Sequence, residues 1–109
     1  MFQMNMEVRK GILFLRLNGV LNGFTSDELN NEVNRLVLEN GIKYFVFNLE
    51  GLTSLDQEGL QSIEKNYRQI TSRDGEVVLC GMKKIPQGPI WQKIYQSQNE
   101  LGAFQIIHI

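Results

Sequence analysis

Phe2, Met4, Met6 and Val8 alternate with Gln3, Asn5 and Glu7, the period-two pattern of a strand with one buried face. Arg9-Lys10-Gly11 interrupts it with turn chemistry, since Gly11 can take positive φ. Residues 12–18 (ILFLRLN) then read as a more buried strand. The short gap predicts an antiparallel hairpin. Residues 19–23 read as a loop. Beyond it the period lengthens, and Leu29, Val33, Leu36 and Val37 recur at helical spacing. Thr25, with Glu28 three residues on, has the form of a capping box, and Phe24 with Leu29 that of a hydrophobic staple. Asn40-Gly41 supplies the stop.

Residues 44–49 (YFVFNL) are dense in β-formers and predict a central strand, followed by a loop over 50–55. A second helix starts near Asp56 or Gln57, buries Leu60, Ile63, Tyr67 and Ile70, and stops at Asp74-Gly75. Residues 76–82 predict another strand. Pro86 and Pro89 bracket a loop, and Pro89 suits the first turn of a short helix over 90–96. Residues 104–109 read as a last strand. The order β-β-α-β-α-β-α-β predicts an α/β fold: a mixed four- or five-stranded sheet, mostly parallel, packed by helices in one domain over residues 1–109.

Composition narrows the chemistry. The 109 residues are 42% apolar with a net charge of −1, enough for a globular core. Eleven basic and twelve acidic residues are scattered, which argues against a polybasic nucleic-acid footprint. One cysteine, Cys80, excludes an internal disulfide or a Cys-based zinc site, and one histidine, His108, leaves no His pair for a metal. Cys80 reads as a buried, inert thiol, His108 as an ordinary strand residue, and Lys83-Lys84 as a solvated edge. Trp91 and Tyr95, four apart on the third helix, read as core, with an exposed aromatic face for a homodimer as the alternative. No glycine-rich phosphate loop is present, and no cofactor is expected. The start lacks a signal-peptide h-region and no apolar run approaches membrane-spanning length, so a cytoplasmic protein with no membrane partner is expected.

The stretch from Asn48 to Leu60 carries the candidate site, because α/β proteins bind where strands end and helices begin. Asp56 and Glu58 stand at the positive end of a helix dipole. There they can cap free N–H groups, each gaining ~0.3–1 kcal/mol from the dipole, or form a recognition surface. Acid/base work would need a third group and a pocket, and no His, Lys or Cys is near in sequence.

This stretch resembles the STAS domain family, in particular the small bacterial anti-sigma factor antagonists. The family pattern is an apolar strand, Asn/Asp-Leu, a spacer, and Asp-Ser-Ser-Gly-Leu opening a helix. Here Asn48-Leu49 is followed at the same spacing by Asp56-Gln57-Glu58-Gly59-Leu60. Upstream, Leu17-Asn18-Gly19-Val20-Leu21-Asn22 stands where the family carries Leu-x-Gly-Glu-Leu-Asp, and residues 75–80 look like its fourth strand. The likeness runs from about residue 4 to 109.

The resemblance implies a non-enzymatic regulator whose partner is an anti-sigma factor kinase or another signalling protein. In the family the kinase phosphorylates the second Ser of Asp-Ser-Ser-Gly and thereby ends the interaction. That position is Glu58 here, and the first Ser is Gln57. Glu58 carries about −1 where phosphoserine carries ~−1.5 to −2, so it is a partial, permanent copy of the phosphorylated state. Val20-Leu21-Asn22 removes two charges from the family's partner surface, and the family's final helix is expected to be missing. Asn22, Thr53, Ser54, Asp56, Gln57, Glu58 and Gly59 form the expected partner surface, with Thr53 or Ser54 as a relocated phosphate acceptor. A monomer or weak homodimer is expected. The alternatives are a diverged scaffold for another partner, and a small-ligand binder or enzyme using a pocket near Asp56 and Glu58.

Overall fold

The computed structural model describes residues 1–107. In chain order it contains β1 (Phe2–Arg9), β2 (Ile12–Leu21), α1 (Ser26–Leu38), β3 (Tyr44–Leu55), α2 (Gln57–Thr71), β4 (Glu76–Cys80), α3 (Pro89–Lys93), β5 (Tyr95–Ser97) and α4 (Glu100–Ile106). The strands form one five-stranded sheet in the order β1-β2-β3-β4-β5. β1 is antiparallel to β2, and every other neighbouring pair is parallel. The hairpin turns through Lys10 at φ 51° and Gly11 at φ 81°, the positive values that match the twist of a two-residue loop.

Alternation along the inner strands divides the core in two. Leu13, Leu15, Leu17, Phe45, Phe47, Val77 and Leu79 face α1 and α2. Ile12, Phe14, Val46, Val78 and Cys80 face the other way, against Ala103 and Ile107. With both faces covered, the near-continuous apolar run of β2 is what a central strand requires. The stripe Leu29, Val33, Leu36 and Val37 is buried as its spacing predicts, and Ile63 and Ile70 are buried with it. Leu60 and Tyr67 are only half-buried at the edge of that cluster. The deepest line of α2 instead includes Ser62 and Asn66, whose side chains both donate to Asn30 Oδ1 at 2.8 Å across the seam with α1.

Several expectations are overturned. Residues 50–55 continue β3 rather than looping, and they pair with the end of β2 across two register shifts. The capping box at Thr25 does not form. Thr25 Oγ1 donates to Val20 O at 2.9 Å and accepts from Asn22 N at 3.0 Å, which takes the hydroxyl away from the helix. The staple fails too, because Phe24 is 94% exposed while Leu29 is fully buried. The last strand is Tyr95–Ser97, and residues 104–106 belong to a helix. Asn99 caps that helix by accepting from Gly102 N at 2.9 Å, and Phe104 stacks on Phe14 with ring centroids 6.5 Å apart. The final helix expected to be missing is therefore present as α4. Trp91 and Tyr95 do not share a helix: Trp91 is buried on α3, as its reading as core expects, and Tyr95 is exposed on β5, so the two rings do not form one helical face. His108 lies outside the described residues.

Candidate functional site

The C-terminal ends of β2, β3 and β4 deliver three segments to one end of the sheet: the β2–α1 turn, the β3–α2 junction and the residues after Cys80. Asp56 is the N-cap of α2, and its carboxylate accepts from Gly59 N at 2.9 Å. Its own N–H donates to Leu21 O at 3.4 Å, tying the start of α2 to the end of β2. Asp56 thus does the capping work that its position predicts.

Glu58, one residue further into the first turn of α2, is exposed. It leans on the β2–α1 turn, where a methyl group placed on Gly23 would come within 2.6 Å of Glu58 Oε2. That turn is held by its own hydrogen bonds. Asn22 Oδ1 accepts from Phe24 N at 2.9 Å and from Thr25 N at 3.1 Å, and Ser26 Oγ donates to Asn22 O at 2.5 Å. Asn22, expected to meet a partner, is half-buried with its side-chain oxygen engaged inside the turn. The turn in consequence presents Phe24 to solvent. This ring stood out in the sequence only as a staple residue.

Thr53, Ser54 and Gln57 are exposed along the β3–α2 junction, whereas Gly59 is buried. Thr53 Oγ1 donates to Gly19 O at 3.1 Å, while Ser54 occupies the next position of β3. A shallow groove of about 190 Å³ between the starts of α1 and α2 is lined by Gly23, Asn30, Glu58, Gln61 and Lys65 among others. Lys65 was not close in sequence, and it reaches this groove because it lies two helical turns along α2. A larger cleft of about 580 Å³ opens on the other side of the β3–α2 junction, walled by Leu52, Leu55, Leu60, Met82 and Ile85, with Lys83 and Lys84 in its lining. Asp56 lines neither cavity. Asp56 is engaged in capping α2, while Glu58 lines the smaller groove.

The strongest electrostatic cluster lies elsewhere, on the sheet face that α4 covers. Arg16 Nε donates to Glu100 Oε2 at 2.7 Å and Nη2 to Oε1 at 2.8 Å, a bidentate pair. Arg16 Nη2 also reaches Glu7 at 2.9 Å, and Asn48 Nδ2 donates to Glu100 at 2.8 Å. The Arg16 hydrogen bond holds the Glu100 carboxyl below its ordinary range against the opposing effect of burial, with Asn48 adding to the shift. Burial pushes the Cys80 thiol up to about 11. Among the described residues no group of three or more His, Cys, Asp or Glu is placed to hold a metal. No helix among them is long and apolar enough to cross a membrane.

This mixed five-stranded sheet packed by helices is the fold that the resemblance to the STAS domain family implies. The family's model matches residues 3–95, and the chain belongs to the STAS domain family. In sequence it is 31% identical over 78 residues to the anti-sigma F factor antagonist of Paenibacillus polymyxa, a match spanning 72% of this chain and 67% of that protein. A Thermotoga maritima protein assigned to the anti-sigma factor antagonists superposes with a TM-score of 0.79 at 16% identity, covering 94% of this chain and 92% of the other. The anti-sigma factor antagonist SpoIIAA in its unphosphorylated form gives 0.70 at 15% identity, covering 97% and 96%. At those identities the two structures establish the shared fold.

Proposed function

We propose that this chain is a non-enzymatic docking module of the anti-sigma antagonist type, with Glu58 standing permanently where relatives carry a phosphate. One observation carries the reading: Glu58 is exposed on the first turn of α2 and abuts Gly23, so its charge lies on the surface formed by the β2–α1 turn and the β3–α2 junction together. A carboxylate is at home at a helix N-terminus, so it leaves the fold intact and acts on whatever approaches. A kinase that docks against an uncharged Ser then meets a fixed negative charge. The chain accordingly binds such a kinase weakly, or serves a partner with a matching basic residue. Any surviving phosphate control has moved to Thr53 or Ser54, and intact-mass analysis of protein from the native cell reads that directly.

Titration calorimetry of the wild type and Glu58→Ser against an anti-sigma factor kinase tests the reading. Relief of one unpaired interfacial charge should tighten binding by ~1–3 kcal/mol in Glu58→Ser. Equal affinity of the two proteins would sink it. The rival reading as an enzyme or small-ligand binder is disfavoured by the division of labour between Asp56, which caps α2, and Glu58, which faces solvent.

A further inference from the structure

The larger cleft is not accounted for by the position of Glu58. Leu52 and Leu55 of β3 and Leu60 of α2 form one wall, and Met82 and Ile85 the other. Ile85 is 51% exposed at the rim, an uncovered apolar side chain. Lys83 and Lys84 are exposed between Met82 and Ile85, and no Asp or Glu lines the cleft. Across the β3–α2 junction the balance reverses, four exposed carboxylates standing against Lys65 in the groove beside Glu58. Asp56 and Glu58 are exposed at the start of α2, and Asp27 and Glu28 at the start of α1. This end of the molecule therefore has an acidic side and a basic side, with an apolar slot on the basic one. Ser54, Leu55 and Leu60 line the slot and lie within a few residues of Glu58, so an occupant of the slot sits beside the acidic surface.

Resting on the reading that this end docks a protein, we propose that the slot receives an apolar side chain of the partner carried on an acidic segment. The partner is then oriented with its anionic side on Lys83 and Lys84 and its cationic side on Glu58. Complementary potentials fix orientation and exclude wrong partners more than they add affinity, whereas like charges brought together are costly. The slot supplies the desolvated anchor point that such an interface needs, and the lysines surround it with a rim that favours carboxylates. A basic segment entering the same slot would set its charges against two lysines.

The test uses the whole chain and no natural partner. A synthetic peptide Glu-Glu-Leu-Leu-Phe-Glu-Glu, its Lys-for-Glu counterpart and sodium decanoate are titrated at low ionic strength and followed by amide chemical shifts. The acidic peptide should shift Thr53, Ser54, Lys83, Lys84 and Ile85 and bind about tenfold tighter than the basic one. The double variant Lys83→Glu/Lys84→Glu, at exposed positions and with its other amide shifts unchanged, should reverse that preference. Equal binding of the two peptides, shifts confined to another face, no binding, or an unchanged preference in the double variant would overturn the proposal. Decanoate displacing the acidic peptide from the slot at lower concentration would also overturn it, assigning the slot to a small amphiphile. The kinase titration of Glu58→Ser reads a different residue with a different probe, so either reading can fail without the other.

Discussion

Two glycines occupy the same position of two different helices, which makes a paired test possible. Gly59 is the third residue of α2 and Gly102 the third of α4, and each donates its N–H to the capping side chain three residues back at 2.9 Å. Alanine gains ~1 kcal/mol over glycine inside a helix, and neither substitution removes the cap. The surroundings differ. A methyl group on Gly59 would run into the Leu21 carbonyl oxygen, well inside contact distance, with Leu55 Cδ1 at 2.9 Å. The oxygen belongs to the backbone of β2 and cannot swing away. A methyl group on Gly102 would have Ser97 Cβ and Oγ at 3.4 Å and Asn99 Oδ1 at 3.5 Å as its nearest neighbours, ordinary contacts. Because the overlap is with backbone that cannot yield, the upper part of the overpacking range applies, about 2–3 kcal/mol, so Gly59→Ala should be destabilised by about 1–2 kcal/mol after the propensity gain, a fall of roughly 4–8 °C in Tm per kcal/mol. Gly102→Ala should be neutral to about 0.5 kcal/mol more stable, because a short helix realises only part of its propensity. Urea unfolding followed by circular dichroism, with unchanged m, measures both. Shifts of the same sign, or a Gly59→Ala protein as stable as the wild type, would refute the claim that α2 is seated directly on the end of β2.

Truncation on α2 should follow depth: Ile63→Ala, at a fully buried position, should cost ~2–5 kcal/mol, and Leu60→Ala, at a half-buried one, clearly less, both read by chemical denaturation. Glu100 has a folded-state pKa below its ordinary value, so its contribution is complete above the unfolded value of about 4.3 and is lost as pH falls through the lower folded value. Glu100→Gln should accordingly lower stability at neutral pH and flatten the acid limb of a stability–pH curve measured below pH ~4.3. Cys80, fully buried and with its thiol pushed up to about 11, should react with a thiol reagent only as the protein opens, at a rate that follows denaturant concentration.

Elements with an unambiguous period were legible. The β1–β2 hairpin, the α1 stripe and the Asp56 cap each combine a spacing with a local signal, and tertiary contacts reinforce them. The failures share a cause: a local signal met a stronger non-local partner. Thr25 has the form of a cap, but Val20 O and the Asn22 N–H lie closer to its hydroxyl in the folded turn. Residues 50–55 carry a glycine and two hydroxyls, yet the free edge at the end of β2 offers them a ladder. Residues 104–109 are rich in isoleucine and read as strand, whereas Asn99 caps a helix over Glu100–Ile106 that sets Ala103, and Ile107 just past its end, on the uncovered sheet face. At the site, the junction and its carboxylates were visible from spacing. The cleft was not, because Met82 and Ile85 meet Leu52 and Leu60 only when β3 and β4 lie side by side.

Every strand in this sheet lies beside the one made just before it. A ribosome releasing the chain from its N-terminus can therefore build the sheet outward, with no gap left for a late strand to enter. The helices on the first face arrive between strands and cover it as it grows. The second face has no such protection, because its cover, α4, follows β5. Until residues 100–107 emerge, Ile12, Phe14, Val46 and Val78 form an open apolar wall. The nascent protein is thus most prone to self-association in the interval after β5 emerges and before α4 does, and chains stopped short of Glu100 should depend on chaperones more than chains that carry α4.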